Sequence, residues 1–408
     1  MSAGPILVEV LGCVAGDATA PLRPKSAERV EVEHLGEHAG FDTGDTGEAG
    51  GVADAPPYEA DAARLLFAEG EIRRIALELD DDALDEVGPD EDVHATFVLE
   101  GEGNVYDVGL HLKGSTSYQP MDAKPAFRLD FHQWDPEARF HGLKRLALQN
   151  MYQDGTMIHE HAYVWLASRL GVPAQRNGYA LVEVNGEPYG LYLVTEVIDE
   201  QFVERVWPDD DGGPLYEDAH GDFTAGSEFE VQEDGEGLDV EDLVDVVGDT
   251  SGDDWLEMLR THFDFEVLLT YWALDLVSGN PDGYVLNTNN YYVYGQPLTQ
   301  RWTLIPAGTD RAFSLEDSGP RGSATRGIGG ILALGCIADD RCEEELDARI
   351  REVADAWDDL GFVPAVEEMA EVVEPACEDD PRRFKDCRTY EMLDYVEGRA
   401  EEIRDQLE

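Results

Sequence analysis

Two apolar runs flank Asn185-Gly186 in YALVEVNGEPYGLYLVTE, Tyr179–Glu196, and this stretch constrains local geometry more tightly than any other. Asn-Gly supplies the positive φ angles that a two-residue turn requires, so the runs fold back on each other as a hairpin. Upstream, ATFVLEG, VYDVGLHLKGS and AFRLDFHQW alternate apolar and polar residues as half-buried strands do. Ahead of the hairpin, GTMIHEHAYVWLASRLGV sets Ile158, Ala162, Trp165, Leu166 and Leu170 on one stripe, stopped by Gly171 and Pro173. That is a helix. The order is three strands, one helix, two strands, in a folded region that begins near Arg64.

Beyond Trp207 the pattern changes. Residues 209–254 are acidic and turn-rich and lack the D-x-D-x-D-G register of a calcium loop, so they read as a solvated segment between two lobes. FDFEVLLTYWALDLVSG carries Phe265, Leu268, Leu269, Trp272 and Leu276 at helical spacing, and NNYYVY…RWTLIP forms a second hairpin. EEELDARIREVADAWDDLG and YEMLDYVEGRAEEIRDQLE complete the chain as amphipathic helix. The expected organisation is an α+β protein: residues 1–60 an export remnant and acidic tether, 61–207 a strand-rich N-lobe, 208–408 a mostly helical C-lobe.

The charge balance, 89 acidic against 29 basic residues and a net charge of -60, argues against nucleic acid or an anionic membrane surface as partner. Only Lys25, Lys113, Lys124, Lys144 and Lys385 are lysines, so a lysine kept here draws interest as a specific point charge. No run reaches the roughly 18 to 20 apolar residues of a membrane span. GPILVEVLGCVAGDATAP ends its apolar stretch in VLGC, the cleavage box of a bacterial lipoprotein, with Cys13 as the lipidated residue. Against that reading, a basic leader is missing and Glu9 interrupts the apolar core; an ordinary disordered start is the alternative. The remaining cysteines, Cys336, Cys342, Cys377 and Cys387, include no CxxC and no nearby His, which favours two disulfides over zinc. Pairing within each short loop is the simplest of three connectivities, and disulfides point to an extracytoplasmic protein.

Acid is used sparingly in one place. GNPDGYVLNTNNYYVY holds Asp282 alone, and WTLIPAGTDRAF holds Asp310 alone. Transfer of a phosphoryl group from a magnesium nucleotide needs a carboxylate to accept the hydroxyl proton. It also needs an amide oxygen five residues on and a second carboxylate to hold the metal. Asp282, Asn287 and Asp310 supply these in order, and further carboxylates would repel the phosphates. Taken alone, D-x4-N is equally a Pro-Asp-Gly turn followed by strand-capping amides. The complementary pair would be Lys124, opening the third strand, with Glu160 on the next helix, and Lys113 in LKGSTS is a second phosphate candidate. A hydrolase is a weaker reading. GSTS lacks a strand-elbow-helix setting, and His159 and His161 point to different helix faces.

These residues resemble a family. LKGSTSY…KPAFRLDF, the helix from Met157, VNGEPYGLYLVTEVIDEQF, PDGYVLNTNNYYVY and LIPAGTDRAF are similar, in order and spacing, to the CotH kinases of spore coats and secreted proteins. The resemblance implies an atypical protein-kinase-like, two-lobed fold that transfers phosphate from ATP, with Mg2+ or Mn2+, to Ser or Thr of exported proteins. On it, Asp282 is the catalytic base and Asn287 and Asp310 are metal ligands. Lys124 and Glu160 position phosphate, and Glu196 lies by the hinge near adenine. The chain departs in reading IPAGTD without the family's Trp, and in having Lys113-Gly114 for Arg-Gly, which keeps charge but loses the bidentate fork. The alternative is a pseudokinase-like surface module that binds without catalysing. Membrane contact is expected only through a lipid at Cys13.

Overall fold

The computed structural model describes residues 66–408 apart from 115, 219–221, 316–317 and 324–326; Cys13 and the acidic N-terminal stretch lie outside the described residues. Alternation in the first half closes on itself as a seven-stranded barrel. Its strands are β1 (Ile72–Glu78), β2 (Val93–Leu99), β3 (Val105–Lys113), β4 (Ala126–Asp130), β5 (Arg145–Gln149), β6 (Asn177–Val184) and β7 (Glu187–Glu196), in the order β1-β2-β3-β4-β5-β7-β6. Every neighbouring pair is antiparallel except β1 and β6, whose parallel pairing, Ile72 opposite Tyr179 through Leu77 opposite Val184, closes the circle. Leu77, Phe97, Leu110, Phe127, Leu129, Leu146 and Val194 fill the interior. Because side chains alternate, burying Leu110 and Leu112 turns His111 and Lys113 to the outer face.

The expected hairpin is present between β6 and β7. Asn185 has φ 50° and Gly186 φ 75°, as a two-residue turn of this hand demands. The Asn185 amide does a second task. Its oxygen accepts from Leu79 N at 2.8 Å and its nitrogen donates to Leu79 O at 2.9 Å, fastening the far end of β1.

A short α1 (Asp81–Glu86) links β1 to β2, and α2 (His159–Arg169) links β5 to β6. The buried side chains of α2 belong to the large helical core, with Ala162, Trp165 and Leu166 joining Trp272, Leu276, Trp357 and Phe362. The helix expected to belong with the strands is thus built into the other core. After α3 (Glu200–Val206) comes the acidic stretch, which differs from expectation. Leu215–Asp218 (β8) and Phe229–Glu233 (β9) join β10 (Tyr291–Gln296) and β11 (Arg301–Pro306) in a sheet ordered β11-β10-β8-β9. α4 (Val240–Asp249) buries Val240, Leu243 and Val247. A few apolar residues at the right period suffice when a ready-made face lies opposite.

The rest is helical: α5 (Trp255–His262), α6 (Phe265–Val277), the single turn α7 (Tyr284–Asn287), α8 (Ile331–Ala338), α9 (Asp340–Asp359), α10 (Phe362–Glu378), α11 (Thr389–Val396) and α12 (Arg399–Gln406). From Leu268 to Val277 every residue of α6 is buried, so this helix is core on all sides. Cys336 pairs with Cys342 and Cys377 with Cys387, the connectivity of two short loops. Among the described residues no helix is long and apolar enough to cross a membrane.

The loop closed by Cys377–Cys387 is bolted to the barrel. Asp380 Oδ2 accepts from Lys124 Nζ at 2.7 Å and from Leu191 N at 3.0 Å, and both charged side chains are wholly buried. Arg382 stacks on Tyr189 at 3.5 Å and donates to the carbonyls of Met121 and Ala123. A buried charge that loses its partner is far more costly than a pair that was never there. Asp380→Ala should therefore cost about 3–5 kcal/mol in urea denaturation, and the double change Lys124→Met with Asp380→Leu should recover most of that loss.

Candidate active site

The site is assembled where α6 ends. Burial pushes the Asp275 carboxyl on the last turn of α6 up to about 7. Its Oδ1 accepts from Tyr163 Oη at 2.8 Å and from Asn280 Nδ2 at 3.0 Å. Tyr163 comes from α2, so one carboxyl ties the helix of Glu160 to the loop of Asp282. Asn280 passes the constraint on, its Oδ1 accepting from Asp282 N at 3.2 Å. At residue 283 a Cβ would overlap Asp275 Oδ2, which is why Gly must follow Asp282.

Asp282 is then held by amides. Asn287 Nδ2 donates to its Oδ1 at 2.8 Å, and Asn290 Nδ2 reaches its Oδ2 and its carbonyl, each at 3.2 Å. The same Asn290 nitrogen also meets Gly308 O at 3.3 Å, while Asn290 O accepts from Ala307 N at 2.9 Å. This residue joins the Asp282 loop to the turn leading from β11 into Asp310. The Arg311 guanidinium lies 3.9 Å from Asp282 Oδ2.

Groups from several other elements surround Asp310. Asp154 caps the approach to α2 through His159 N at 2.9 Å, and His159 Nδ1 lies 3.2 Å from Asp310 O. Burial, then Asp154 and Asp282, push Asp310 up to about 7, with Arg311 opposing. Glu160, nearly buried in the first turn of α2, is pushed up to about 8 by burial and then by Asp310, against the pull of Lys113. Lys113 on the outer face of β3 donates to Gln149 Oε1 at 3.0 Å. Desolvation and then Arg128 on β4 push its ammonium down to about 8, opposed by Glu160, Glu217 and Asp310. The cleft thus sets Lys113 and Arg128 across from carboxylates that repel one another.

Two expected residues stand elsewhere. Lys124 does not face Glu160. Its ammonium is buried against Asp380 and Leu191 O, and Lys113 is the lysine within electrostatic reach of Glu160. A lysine at the mouth of a strand looked free in the sequence because its partner lies 256 residues away. Glu196 is likewise committed, clamped by Arg176 at 2.6 Å and Arg205 at 2.7 Å, and its own N–H donates to Arg176 O. Asp282, Asn287, Asp310, Glu160 and Lys113 do come together. Asp154, Asp275, Asn290, Arg128 and Arg311 were missed; of these only Asn290, in an asparagine-rich run, carried a sequence signal. Among the described residues no three Asp, Glu, His or Cys side chains form a metal cluster by themselves. A cation here would draw on Asp310, the Asn287 amide oxygen and ligands brought by a substrate, as magnesium sites commonly do.

The architecture is a mixed α+β one. Its solved structural neighbours include the HipA–HipB–operator DNA complex of Shewanella oneidensis MR-1 (14% identical, TM-score 0.30, 64% of this chain and 60% of that one). Another is the Helicobacter pylori proinflammatory kinase CtkA (9% identical, TM-score 0.28, 69% of this chain and 92% of that one). A family model described as CotH kinase protein matches residues 110–407, and the chain belongs to that family. A curated relative, inner spore coat protein H of Bacillus subtilis (strain 168), is 20% identical over 308 residues, covering 70% of this chain and 83% of its own.

The buried carboxyl at Asp275 makes stability fall with rising pH. Its folded pKa, about 7, exceeds its ordinary value of 3.8, so between these values the folded state holds the extra proton. Denaturation measured from pH 4 to 7 should show stability declining, by up to about 1.4 kcal/mol per pH unit for each such group. Asp275→Asn should remove the Asp275 share of that slope.

Proposed function

We propose that this CotH-family protein transfers a phosphoryl group from ATP to Ser or Thr of exported or surface proteins. The observation carrying this reading is the convergence of Asp282 and Asp310, joined by Asn290, opposite Lys113 and Glu160. In this reading Asp282 accepts the proton of the attacking hydroxyl, its orientation fixed by Asn287 and Asn290. Asp310 and the amide oxygen of Asn287 hold Mg2+ or Mn2+, which when bound neutralises charge developing on the phosphates. Lys113, kept in place by Glu160, and Arg128 bind phosphate oxygens. Lys113 thus takes the role first assigned to Lys124. The raised pKa of Asp310 suits a carboxyl awaiting a cation, since like charges around it favour the neutral form until one arrives.

Two disulfides and a spore-coat relative fit an extracytoplasmic protein. Lipidation at Cys13 remains part of the proposal, with a surface or secreted protein as substrate. The pseudokinase-like alternative shares the family but makes the opposite prediction for catalysis.

Incubation of the full chain with γ-labelled ATP and Mg2+ or Mn2+ should label a Ser/Thr protein substrate. Asp282→Ala and Asp310→Ala should abolish labelling, and equal labelling by parent and mutants would remove the proposal. Lys113→Met should lower kcat/KM by about 10- to 1,000-fold, the loss of roughly 1.4–4 kcal/mol of transition-state stabilisation. Nucleotide with metal at 100 times its dissociation constant should add about 2.7 kcal/mol of stability. A shift without labelling would favour the non-catalytic module.

A further inference from the structure

An open groove of about 690 Å³ runs beside Asp282, lined by Gln119, Tyr152, Gln153, Arg311, Phe384 and Lys385. In a chain with 89 acidic residues this lining has two cations and no carboxylate. Its walls come from four distant segments: the β3–β4 loop, the turn before α2, the residue after Asp310, and the loop closed by Cys377–Cys387. Three of them are joined to one another. Lys385 Nζ donates to Gln153 O at 3.2 Å, Gln153 Nε2 to Thr116 Oγ1 at 3.4 Å, and Phe384 meets Tyr152 edge to face with ring centroids 4.8 Å apart. Arg311 forms the end nearest the carboxylate, 3.9 Å from Asp282 Oδ2, with a side chain 40% exposed.

We propose that this groove seats the acceptor as an acidic peptide, with Asp or Glu flanking the reacting Ser or Thr paired to Arg311 and Lys385. The proposal rests on the kinase reading only in placing the hydroxyl at Asp282. Two half-buried aromatics give a backbone and apolar side chains a surface to lie on, and the cations select charge. The net charge of -60 does not oppose this. Charges beyond the Debye length, about 8 Å at physiological salt, are screened, so the contacting cations decide. A basic acceptor, by contrast, would meet only positive charge in the groove. The chain itself contains a segment of the required kind, FDTGDTGEAG at residues 41–50, which serves as a probe.

Two readouts test this on the full chain. A fluorescent FDTGDTGEAG peptide should bind at least tenfold more tightly than the same peptide with its acids replaced by Lys. Lys385→Glu should erase or reverse that preference, and Lys385→Gln should fall between; residue 385 is exposed, so folding is not at stake. In phosphorylation assays the same change should raise the peptide KM while leaving the nucleotide KM within twofold. Equal binding of the two peptides, tighter binding of the Lys peptide, or an effect on nucleotide KM alone overturns the groove assignment. Selective binding without any phosphoryl transfer supports the groove and rejects the kinase reading instead.

Discussion

A single buried carboxyl, that of Asp275, fixes the relation between the two halves of the site. α2 brings Glu160 and Tyr163; the loop after α6 brings Asn280 and Asp282; both end at Asp275 Oδ1. Burying a carboxyl at 0% exposure is unfavourable unless hydrogen bonds offset it, and here the donors to Oδ1 come from the two elements that must be aligned. The interaction is therefore specific in a way apolar packing is not. Any rotation of α6 would break one of these hydrogen bonds.

From that anchor, order spreads through amides. Asn280, Asn287 and Asn290 hold Asp282 without adding charge, and Asn290 extends the network to the turn of Asp310. The sparing use of acid in this stretch follows from the electrostatics around it. After burial, Asp154 and Asp282 raise the Asp310 pKa, Asp310 and Asp154 raise that of Glu160, and Arg311 and Lys113 only partly compensate. Another carboxylate would go unpaired in a partly desolvated cleft. Elsewhere the surface is under no such constraint, and the chain is free to be acidic there.

Local pattern made much of the fold legible. The Asn185-Gly186 hairpin, the strands around Phe97, Leu110 and Phe127, the buried helix of Trp272 and the pairing of both disulfides all follow from sequence periods and loop lengths. What escaped was long-range. β1 and β5 carry arginines or are short, and they are strands because the barrel closes over them. β8 and α4 hide in an acidic stretch because the face they cover is supplied by distant elements. In the candidate site, Asp282, Asn287, Asp310 and Glu160 lay at readable spacings. The choice between Lys113 and Lys124 did not, since it turns on Asp380, a residue with no sequence feature to connect it to either.

That same partner ties the C-terminal part of the chain to the surroundings of the candidate site. Asp380 and Arg382 pin the loop after β3, at Lys124, Met121 and Ala123, from outside the barrel. Lys113 ends β3 at the start of that loop, and Gln119 within it borders the groove beside Asp282. Phe384 and Lys385, on the groove's other wall, sit in the disulfide-closed loop with Asp380 and Arg382. A disulfide between cysteines ten positions apart thus closes the loop that supplies one wall of the groove beside Asp282. Closing a short loop lowers the conformational entropy of its backbone in the unfolded chain, and this loop carries the side chains that touch both the barrel and the groove.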